Sequence, residues 1–226
     1  MEVTKGIHLI PGVRGANAYL VIGREGLIVV DTGLPGSAGK ITDYIRSVGS
    51  DPSQVKYIVL THPDIDHSGN VAKLKEITNA KVMIHEADAP RLSGEKETKK
   101  VKGAFGLLLK VTDSLMKFTP IKPDVLLKDL DKIDELTVIH TPGHTEGSIC
   151  LYIAGKVLFV GDALRTNNNK KPELPPKSVT LDMNMAKSSL AKISELEYPV
   201  LLPGHGPPLD QDASAIVKEF VAKSFE

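Results

Sequence analysis

The sequence predicts an α/β protein in which helices cover a mixed β-sheet or a pair of sheets. Short apolar runs rich in branched residues alternate with segments whose apolar residues recur at helical spacing, and both halves of the chain show this alternation. Some neighbouring runs are separated only by a short glycine-containing stretch, which favours hairpins. The chain has 226 residues, 41% of them hydrophobic, so we expect a single domain over residues 1–226 with a sizeable core.

The first half is predicted to fold as a hairpin followed by alternating helices and strands. Branched apolar runs indicate the strands, helical spacing indicates the helices, and glycine and proline indicate the loop. The predicted elements are strands at 17–22 and 26–30, a loop at 31–36, a helix at 38–48, a strand at 55–60, a helix at 68–77 and a strand at 82–84. In the second helix, Val71, Leu74 and Ile77 are expected to share one face.

A helical excursion is expected at about residues 86–118. Its apolar residues recur at helical spacing over 103–118, which predicts a helix. This helix packs on the core, covers a pocket or forms a dimer face. A homodimer is therefore one of the alternatives. As a pocket wall, Phe105, Leu108 and Leu109 would favour a partly apolar substrate.

The second half returns to strands and ends in helices. Gly155 marks a tight hairpin, and asparagine, lysine and proline residues indicate a long loop. The predicted elements are strands at 125–127, 136–139, 149–153 and 156–160, a loop at 166–178, a helix at 183–196, a strand at 200–202 and a helix at 213–222.

Composition excludes several classes of protein. The 28 basic residues balance 28 acidic ones, whereas a dedicated nucleic-acid binder usually has a basic excess. Cys150 is the only cysteine, so no intramolecular disulfide can form. We see neither a secretory signal at the start of the sequence nor an apolar run long enough to span a membrane. We therefore expect a cytoplasmic protein that acts on a small molecule.

Four potential metal ligands lie close together directly after the predicted strand 55–60. Residues 61–67 read Thr-His-Pro-Asp-Ile-Asp-His, and the proline disfavours a helix there. A strand end that becomes a loop lets neighbouring side chains turn inward together. Imidazoles and carboxylates are the ligands that zinc, iron and manganese take in proteins. The potential ligands are His62, Asp64, Asp66 and His67.

Three further segments repeat this pattern of a ligand-type residue just beyond an apolar strand. His144 follows the strand at 136–139, Asp162 follows the strand at 156–160, and His205 follows the strand at 200–202. Nearby glycines permit close backbone approach. Each segment is a weak signal by itself, but together with residues 61–67 they predict a metal site.

These motifs resemble the metallo-β-lactamase-fold superfamily, within it the single-domain hydrolases of the glyoxalase II and lactonase type. The resemblance includes the early Asn-Ala-Tyr-Leu and Asp-Thr-Gly segments and spans roughly residues 7–210. It implies an αββα sandwich with a dinuclear metal site along one edge of the two sheets. The expected cofactor is two zinc ions, with manganese or iron as alternatives.

The resemblance also implies a role for each ligand. One ion would be held by His62, Asp64 and His144, the other by Asp66, His67 and His205, with Asp162 bridging the two. Asp31 would orient a ligand by hydrogen bonding. The other histidines, His8, His85 and His140, do not fall at ligand positions and are expected to be structural.

Asp64 departs from the family pattern, which more commonly has histidine there. An aspartate oxygen can still ligate, and it makes the centre one charge less positive. We expect this to weaken Lewis acidity, to raise the pKa of the bound water and to favour harder ions such as manganese or iron. The alternative is that Asp64 does not bind and that only one ion is held.

The implied activity is metal-dependent hydrolysis, in which a metal-bound hydroxide attacks an ester, thioester, lactone or phosphoester. Asp64 or Asp66 would be the catalytic residue that carries a proton, or a metal-bound water would protonate the leaving group instead. Arg165, three residues past Asp162, would contact an anionic substrate group. Two other classes stay open. One is a non-haem iron redox enzyme, either a sulfur dioxygenase or diiron-like, and the other is a metal-stabilised binding protein without turnover.

Overall fold

Two mixed β-sheets pack face to face, with helices on both outer faces. The computed structural model describes residues 1–96 and 118–224. Within these residues the architecture is the αββα sandwich that the sequence and its family resemblance predict. The predicted helix over 103–118, with Phe105, Leu108 and Leu109, lies outside the described residues except for Phe118.

The first sheet contains seven strands in the order of the chain. They are β1 (Glu2–Thr4), β2 (Ile7–Leu9), β3 (Tyr19–Ile22), β4 (Leu27–Val30), β5 (Val55–Val59), β6 (Lys81–His85) and β7 (Val125–Leu127). Neighbouring strands from β1 to β4 are antiparallel, and neighbouring strands from β4 to β7 are parallel. The predicted hairpin is the β3–β4 pair.

The second sheet contains five strands. They are β8 (Lys132–Ile133), β9 (Leu136–His140), β10 (Ile149–Ile153), β11 (Val157–Gly161) and, after a small separate pair formed by β12 (Arg165–Thr166) and β13 (Pro172–Glu173), β14 (Val200–Pro203). The order is β14-β11-β10-β9-β8, and only β11 and β14 are parallel neighbours. The carboxyl ends of β9, β11 and β14 therefore meet at one edge of this sheet.

Six α-helices and two short 3₁₀ helices complete the described residues. The α-helices are α1 (Ala38–Ser47), α2 (Ile65–Ser68), α3 (Val71–Thr78), α4 (Ala89–Leu92), α5 (Met183–Ser194) and α6 (Ala213–Ser224), and the 3₁₀ helices are Pro52–Gln54 and Lys177–Val179. Residues 1–96 and 118–224 contain no helix with the length and apolar character needed to cross a membrane.

Alternating side chains of each strand face different layers, because successive residues point to opposite sides of a sheet. Phe159 of β11 lies between the sheets and meets Tyr19 of β3 edge-on, with ring centroids 5.5 Å apart. Its neighbour Leu158 faces the opposite way, into the cluster formed with α5 and α6. Beyond the first sheet, Ile58 of β5 packs with Ile41 of α1. Three apolar layers thus hold the sandwich together.

The helix predicted at 68–77 is interrupted. The chain instead forms α2, a break at Gly69 and Asn70, and then α3. The Asn70 side chain stabilises this break, because its amide donates to the carbonyls of Thr32 and Leu34. Its oxygen accepts the backbone N–H groups of Ser37 and Ala38 at the start of α1. Ile77 is exposed, and Thr78 is buried in its place.

Short paired strands account for the other differences. Strands β1, β2 and β8 were not expected, since two or three residues carry too little apolar periodicity to be recognised. The predicted loop 166–178 contains Thr166 of β12, the strand β13 and the start of a 3₁₀ helix. Lys170 closes this segment onto Asp210 through an ion pair of 2.9 Å.

Candidate metal centre

The strand-end loops of both sheets meet at one edge of the sandwich. The chain leaves β5 through residues 61–67, and the loops after β9, β11 and β14 approach from the second sheet. A backbone hydrogen bond of 3.0 Å from Ile149 N to Thr61 O joins the two sheets at this point. Seven histidine and aspartate side chains converge there: His62, Asp64, Asp66, His67, His144, Asp162 and His205.

The first group of side chains is His62, Asp64 and His144. The Oδ2 atom of Asp64 lies 3.1 Å from Nε2 of His144 and 3.6 Å from Nε2 of His62. One oxygen and two ring nitrogens thus surround a common point, with each ligand-type atom within 4.8 Å of the others. Asp64 therefore belongs to this group of potential ligands and does not lie at its periphery.

The second group is Asp66, His67 and His205, and Asp162 lies between the two groups. Asp66 Oδ2 is 3.2 Å from His205 Nε2. Asp162 Oδ1 is 3.3 Å from His67 Nε2, and Asp162 Oδ2 is 3.5 Å from the Nε2 atoms of both His144 and His205. A single carboxylate therefore faces nitrogen atoms of both groups.

Asp31 and Thr61 fix which ring nitrogen of two histidines faces the centre. Asp31 Oδ2 accepts hydrogen bonds from His67 Nδ1 at 2.8 Å and from the Thr61 hydroxyl at 2.7 Å. Since Thr61 donates its only proton to Asp31, its oxygen accepts from His62 Nδ1 at 3.1 Å. Both rings then present Nε2 to the centre. Burial and the neighbouring His67 charge lower the pKa of His62 to about 4, so its ring is neutral.

Two glycines allow the backbone to approach the centre closely. A Cβ atom at Gly204 would lie 2.6 Å from Asp162 Oδ1 and 2.6 Å from His67 Cε1. A Cβ atom at Gly161 would lie 2.7 Å from Thr61 Cβ, and Gly161 also has a left-handed φ of +47°. Any side chain at either position would displace these groups.

Hydrogen bonds from the first sheet hold the loop that carries His205. The Asn17 side-chain amide donates to the carbonyls of Pro203 at 2.9 Å and Gly206 at 2.8 Å. The buried Tyr19 hydroxyl donates to the same Pro203 carbonyl at 2.7 Å. These bonds couple the Asn-Ala-Tyr-Leu segment to the loop that carries His205.

Asp88 holds the loop that carries His144. This carboxylate is buried and accepts hydrogen bonds from the Thr145 hydroxyl and, at 3.1 Å, from Arg91 Nη1. Burial raises the pKa of Asp88, although the Thr145 hydrogen bond and the Arg91 charge oppose the shift. The sequence analysis missed Asp88, Thr61 and Arg91, because no local pattern marks residues that act through such long-range hydrogen bonds.

Carboxylates dominate the electrostatics of the centre. Burial lowers the pKa of His67, but Asp31 and Asp162 outweigh burial and raise it well above the ordinary value. The same balance, with Asp162 and Asp66 as the nearby carboxylates, raises the pKa of His205 to about 9. Burial raises the pKa of Asp162, yet the neighbouring histidines hold it well below its usual range. The cluster therefore attracts positive charge, either protons or metal cations.

The donor set fits a metal. Three buried atoms that face the centre make no hydrogen bond of acceptable geometry with any described residue: His62 Nε2, His67 Nε2 and Asp162 Oδ1. Unpaired buried polar atoms are rare in folded proteins and call for a partner. Neutral imidazole nitrogen and carboxylate oxygen are ligand types for zinc, iron and manganese.

The centre is closed on one side and open on the other. The side chains of His62, His67 and His144 are almost fully buried. The open side is formed by three partly exposed side chains, Asp64 (24%), His205 (25%) and Asp66 (31%). A substrate would approach from this side.

Apolar side chains lie near the His144 loop. The backbone N–H of Leu181 donates to the His144 carbonyl at 3.3 Å. Leu181 and Met185, at the start of α5, expose 45% and 46% of their surface. The sequence analysis assigned the apolar wall to residues 103–118 and did not consider this pair.

The remaining histidines lie outside the three groups of potential ligands found in the described residues. His8 Nδ1 lies 3.1 Å from the Tyr44 hydroxyl. His85 and His140 stack on each other with ring centroids 4.0 Å apart, and His140 Nε2 donates to the Glu146 carbonyl. These contacts are structural.

Curated proteins with similar sequences include three hydrolases. The "Probable metallo-hydrolase YflN" of Bacillus subtilis is 31% identical over 229 residues, covering 92% of this chain and 86% of that protein. An "N-acyl homoserine lactonase" of a Bacillus species is 26% identical, covering 83% and 79%. The human "Acyl-coenzyme A thioesterase MBLAC2" is 31% identical, covering 66% and 58%.

Solved structures share the fold. A metallo-beta-lactamase family protein, TTHA1429 of Thermus thermophilus, superposes with a TM-score of 0.74 at 24% identity, covering 98% of this chain and 80% of the other. TTHA1623, solved in a di-iron-bound form, has a TM-score of 0.67 at 27% identity, with coverages of 85% and 88%. The di-zinc class B3 enzyme LRA-12, from an Alaskan soil metagenome, has a TM-score of 0.68 at 22% identity, with coverages of 96% and 90%. Residues 11–205 match the family model of the Metallo-beta-lactamase superfamily, and the chain belongs to that superfamily.

Proposed function

We propose that this protein is a metal-dependent hydrolase that cleaves an ester, thioester or lactone bond of a small acyl substrate. The observation that carries this proposal is the position of Asp162, whose Oδ2 atom lies 3.5 Å from both His144 Nε2 and His205 Nε2. A carboxylate shared by two ligand groups suits a centre of two ions. The lactonase and thioesterase relatives support acyl substrates.

In this proposal, one ion would be held by His62, Asp64 and His144 and a second by Asp66, His67 and His205, with Asp162 available to either group. Bound divalent ions supply Lewis acidity and lower the pKa of water, so that a nucleophile is available near neutral pH. Elemental analysis of the purified protein distinguishes zinc, iron and manganese. Asp64 adds a carboxylate, which favours the harder ions.

The residues of the chain supply positioning and proton transfer. Asp31 and Thr61 keep Nε2 of His67 and His62 directed at the centre, which removes the need to reorganise the ligands during the reaction. Asp64 and Asp66 lie on the open side, and in this proposal either carboxylate moves a proton to the leaving group. We infer that the exposed side chains of Leu181, whose backbone N–H bonds to the His144 carbonyl, and Met185 contact the acyl chain.

A redox function is the second candidate, because the additional carboxylate of Asp64 suits iron and because TTHA1623 was solved with two iron ions. The two candidates differ in metal and in reaction. A hydrolase cleaves its ester in the absence of oxygen, whereas an oxygen-dependent iron enzyme is inactive without oxygen.

The first experiment is elemental analysis of protein purified without added metal or chelator, followed by assays of esters, thioesters, lactones and phosphodiesters in air and under nitrogen. We expect about two ions per chain and acyl hydrolysis that is the same in both atmospheres. Asp162→Asn should lose metal and activity, whereas Asp43→Asn, at an exposed aspartate paired with Arg46, should lose neither. Metal-loaded protein that hydrolyses no acyl substrate, or acts only in air, would contradict the proposal.

A further inference from the structure

Arg165 is a half-buried cation that has no counter-ion among residues 1–96 and 118–224. The sequence has five arginines. Of these, Arg91 is the other one removed from water, and it pairs with Asp88 at 3.1 Å and with Glu146 at 3.5 Å. The side chain of Arg165 makes no hydrogen bond or ion pair with any residue of the described ranges, and its Nε atom is buried without a partner.

The acidic residue nearest to Arg165 in the sheet is bonded elsewhere. Glu173 is the direct partner of Arg165 in the β12–β13 pair, where cross-strand side chains share one face. Glu173 Oε1 instead accepts a hydrogen bond of 2.9 Å from the side chain of Asn167. Asn167 also accepts from the backbone N–H of Asn169, which fixes the turn. The local fold therefore leaves the guanidinium group of Arg165 available.

Arg165 lies beside the metal centre. It follows Asp162 by three residues, so their Cα atoms are at most about 10 Å apart. The next residue, Thr166, donates its backbone N–H to the His205 carbonyl at 3.1 Å and its hydroxyl to Pro207 O at 2.6 Å. Leu164, the residue before Arg165, is packed in the layer formed with α5 and α6, whereas Arg165 is not among the residues of that layer.

A partly desolvated guanidinium group without an anion is unfavourable, and a ligand carboxylate or phosphate would satisfy it with paired hydrogen bonds. We propose that Arg165 binds an anionic group of the substrate, a carboxylate or a phosphate, and so selects negatively charged acyl substrates. This inference rests on the proposed function and names the substrate class of the same site. Arg165 determines specificity and takes no part in bond cleavage.

The test compares matched neutral and anionic substrates on metal-loaded enzyme. Butyryl-pantetheine is the neutral thioester, butyryl-phosphopantetheine adds a phosphate on the thiol side, and succinyl-pantetheine places a carboxylate on the acyl side. The enzymes are wild type, Arg165→Gln, Arg165→Lys, and Arg46→Gln as a control that removes an exposed arginine paired with Asp43. Metal content is measured for each variant.

We expect wild type to prefer one of the anionic thioesters. Arg165→Gln should lower kcat/KM for that substrate roughly ten- to hundred-fold, mostly through KM, and leave the neutral thioester and the metal content unchanged. Arg165→Lys should recover part of the loss, and Arg46→Gln should match wild type. Preference for the carboxylate or for the phosphate identifies which anion is bound. Equal losses on neutral and anionic substrates, or no loss on either, would overturn the inference.

A binding measurement separates this inference from the proposed function. Calorimetry on metal-loaded protein compares glutarate with butyrate, and glycerol phosphate with glycerol. We expect at least one anionic ligand to bind wild type about ten-fold more tightly than Arg165→Gln. If no thioester is hydrolysed, the proposed function fails, and the calorimetric difference alone decides the role of Arg165. Identical binding to both proteins refutes the inference even if hydrolysis is observed.

Discussion

Asp31 Oδ2 and His67 Nδ1 are 2.8 Å apart, and both side chains are buried. The same carboxylate also accepts the backbone N–H of Thr61 at 2.8 Å. Three hydrogen bonds thus hold the Asp31 carboxylate behind the His67 ring, while His67 Nε2 faces Asp162. Asp31 therefore controls the ring orientation and the proton position of His67 without facing the centre itself.

Replacing Asp31 by asparagine should weaken metal binding about 10- to 100-fold, which is the usual effect of losing such a supporting carboxylate. Asparagine tolerates the left-handed φ of 56° found at this position, so the backbone should be retained. Competition with a metal-binding dye measures the affinity. Asp43→Asn, an exposed aspartate, is the matched control. Unchanged affinity in Asp31→Asn would show that His67 needs no support.

Replacing Asp64 by histidine should make the centre one unit more positive. The pKa of the nucleophilic water should then fall, which moves the acidic limb of the kcat/KM profile to lower pH, and the preference among metals should shift toward zinc. Profiles measured with each metal test both effects. Asp64→Asn, which removes the charge without adding an imidazole, separates charge from ligand type. A profile that does not move in Asp64→His would mean that Asp64 is not part of the centre.

Polar replacement of Leu181 and Met185 should reduce activity on long acyl chains. Each buried methylene contributes about 0.8 kcal/mol. The Leu181→Asn, Met185→Gln double variant should therefore lose roughly ten-fold in kcat/KM for octanoyl thioesters and little for acetyl thioesters. Ile22→Thr, which changes an equally exposed apolar residue at the far end of β3, is the control. Equal losses of kcat/KM on octanoyl and acetyl thioesters would show that Leu181 and Met185 do not bind the acyl chain.

Asp124 connects α3 with the parallel strands of the first sheet. Its carboxylate accepts hydrogen bonds from Lys75 Nζ at 2.6 Å and from Val82 N at 2.8 Å. Burial raises the pKa of Asp124, but these two hydrogen bonds and the lysine charge outweigh burial and lower it. The ionised form therefore stabilises the fold.

Asp124→Asn should lower the free energy of unfolding by about 1 kcal/mol at neutral pH. Because the folded pKa lies below the ordinary value of 3.8, the stabilisation is complete above that value and is lost as pH falls through the folded pKa. Urea denaturation should thus give a constant difference from pH 8 to about pH 5 that shrinks below about pH 4. A difference that grows in acid would contradict this assignment.

The ligand candidates could be found from sequence because each follows an apolar strand directly. His144, Asp162 and His205 are far apart in the chain, yet the strands before them, β9, β11 and β14, run in the same direction. Their carboxyl ends therefore meet at one edge of the second sheet. Local periodicity also gave the β3–β4 hairpin and helices α1, α5 and α6 within a few residues.

The parts that sequence did not predict depend on contacts between distant residues. The break between α2 and α3 is made by Asn70, whose partners lie more than thirty positions earlier. The roles of Thr61 and Asp88 follow from hydrogen bonds across the loops and have no local signature. Arg165 was recognised as a basic residue near Asp162, but only the structure shows that Glu173 is bonded to another partner.

The bonds from Asn17 and Tyr19 to the Pro203 carbonyl link residues near the start of the chain to residues near its end. Closing so long a loop is entropically unfavourable until the intervening strands have assembled. During synthesis, the His205 loop therefore cannot be fixed until the second sheet has left the ribosome. A nascent or truncated chain that ends before β14 retains most of the ligand candidates and is expected to be inactive.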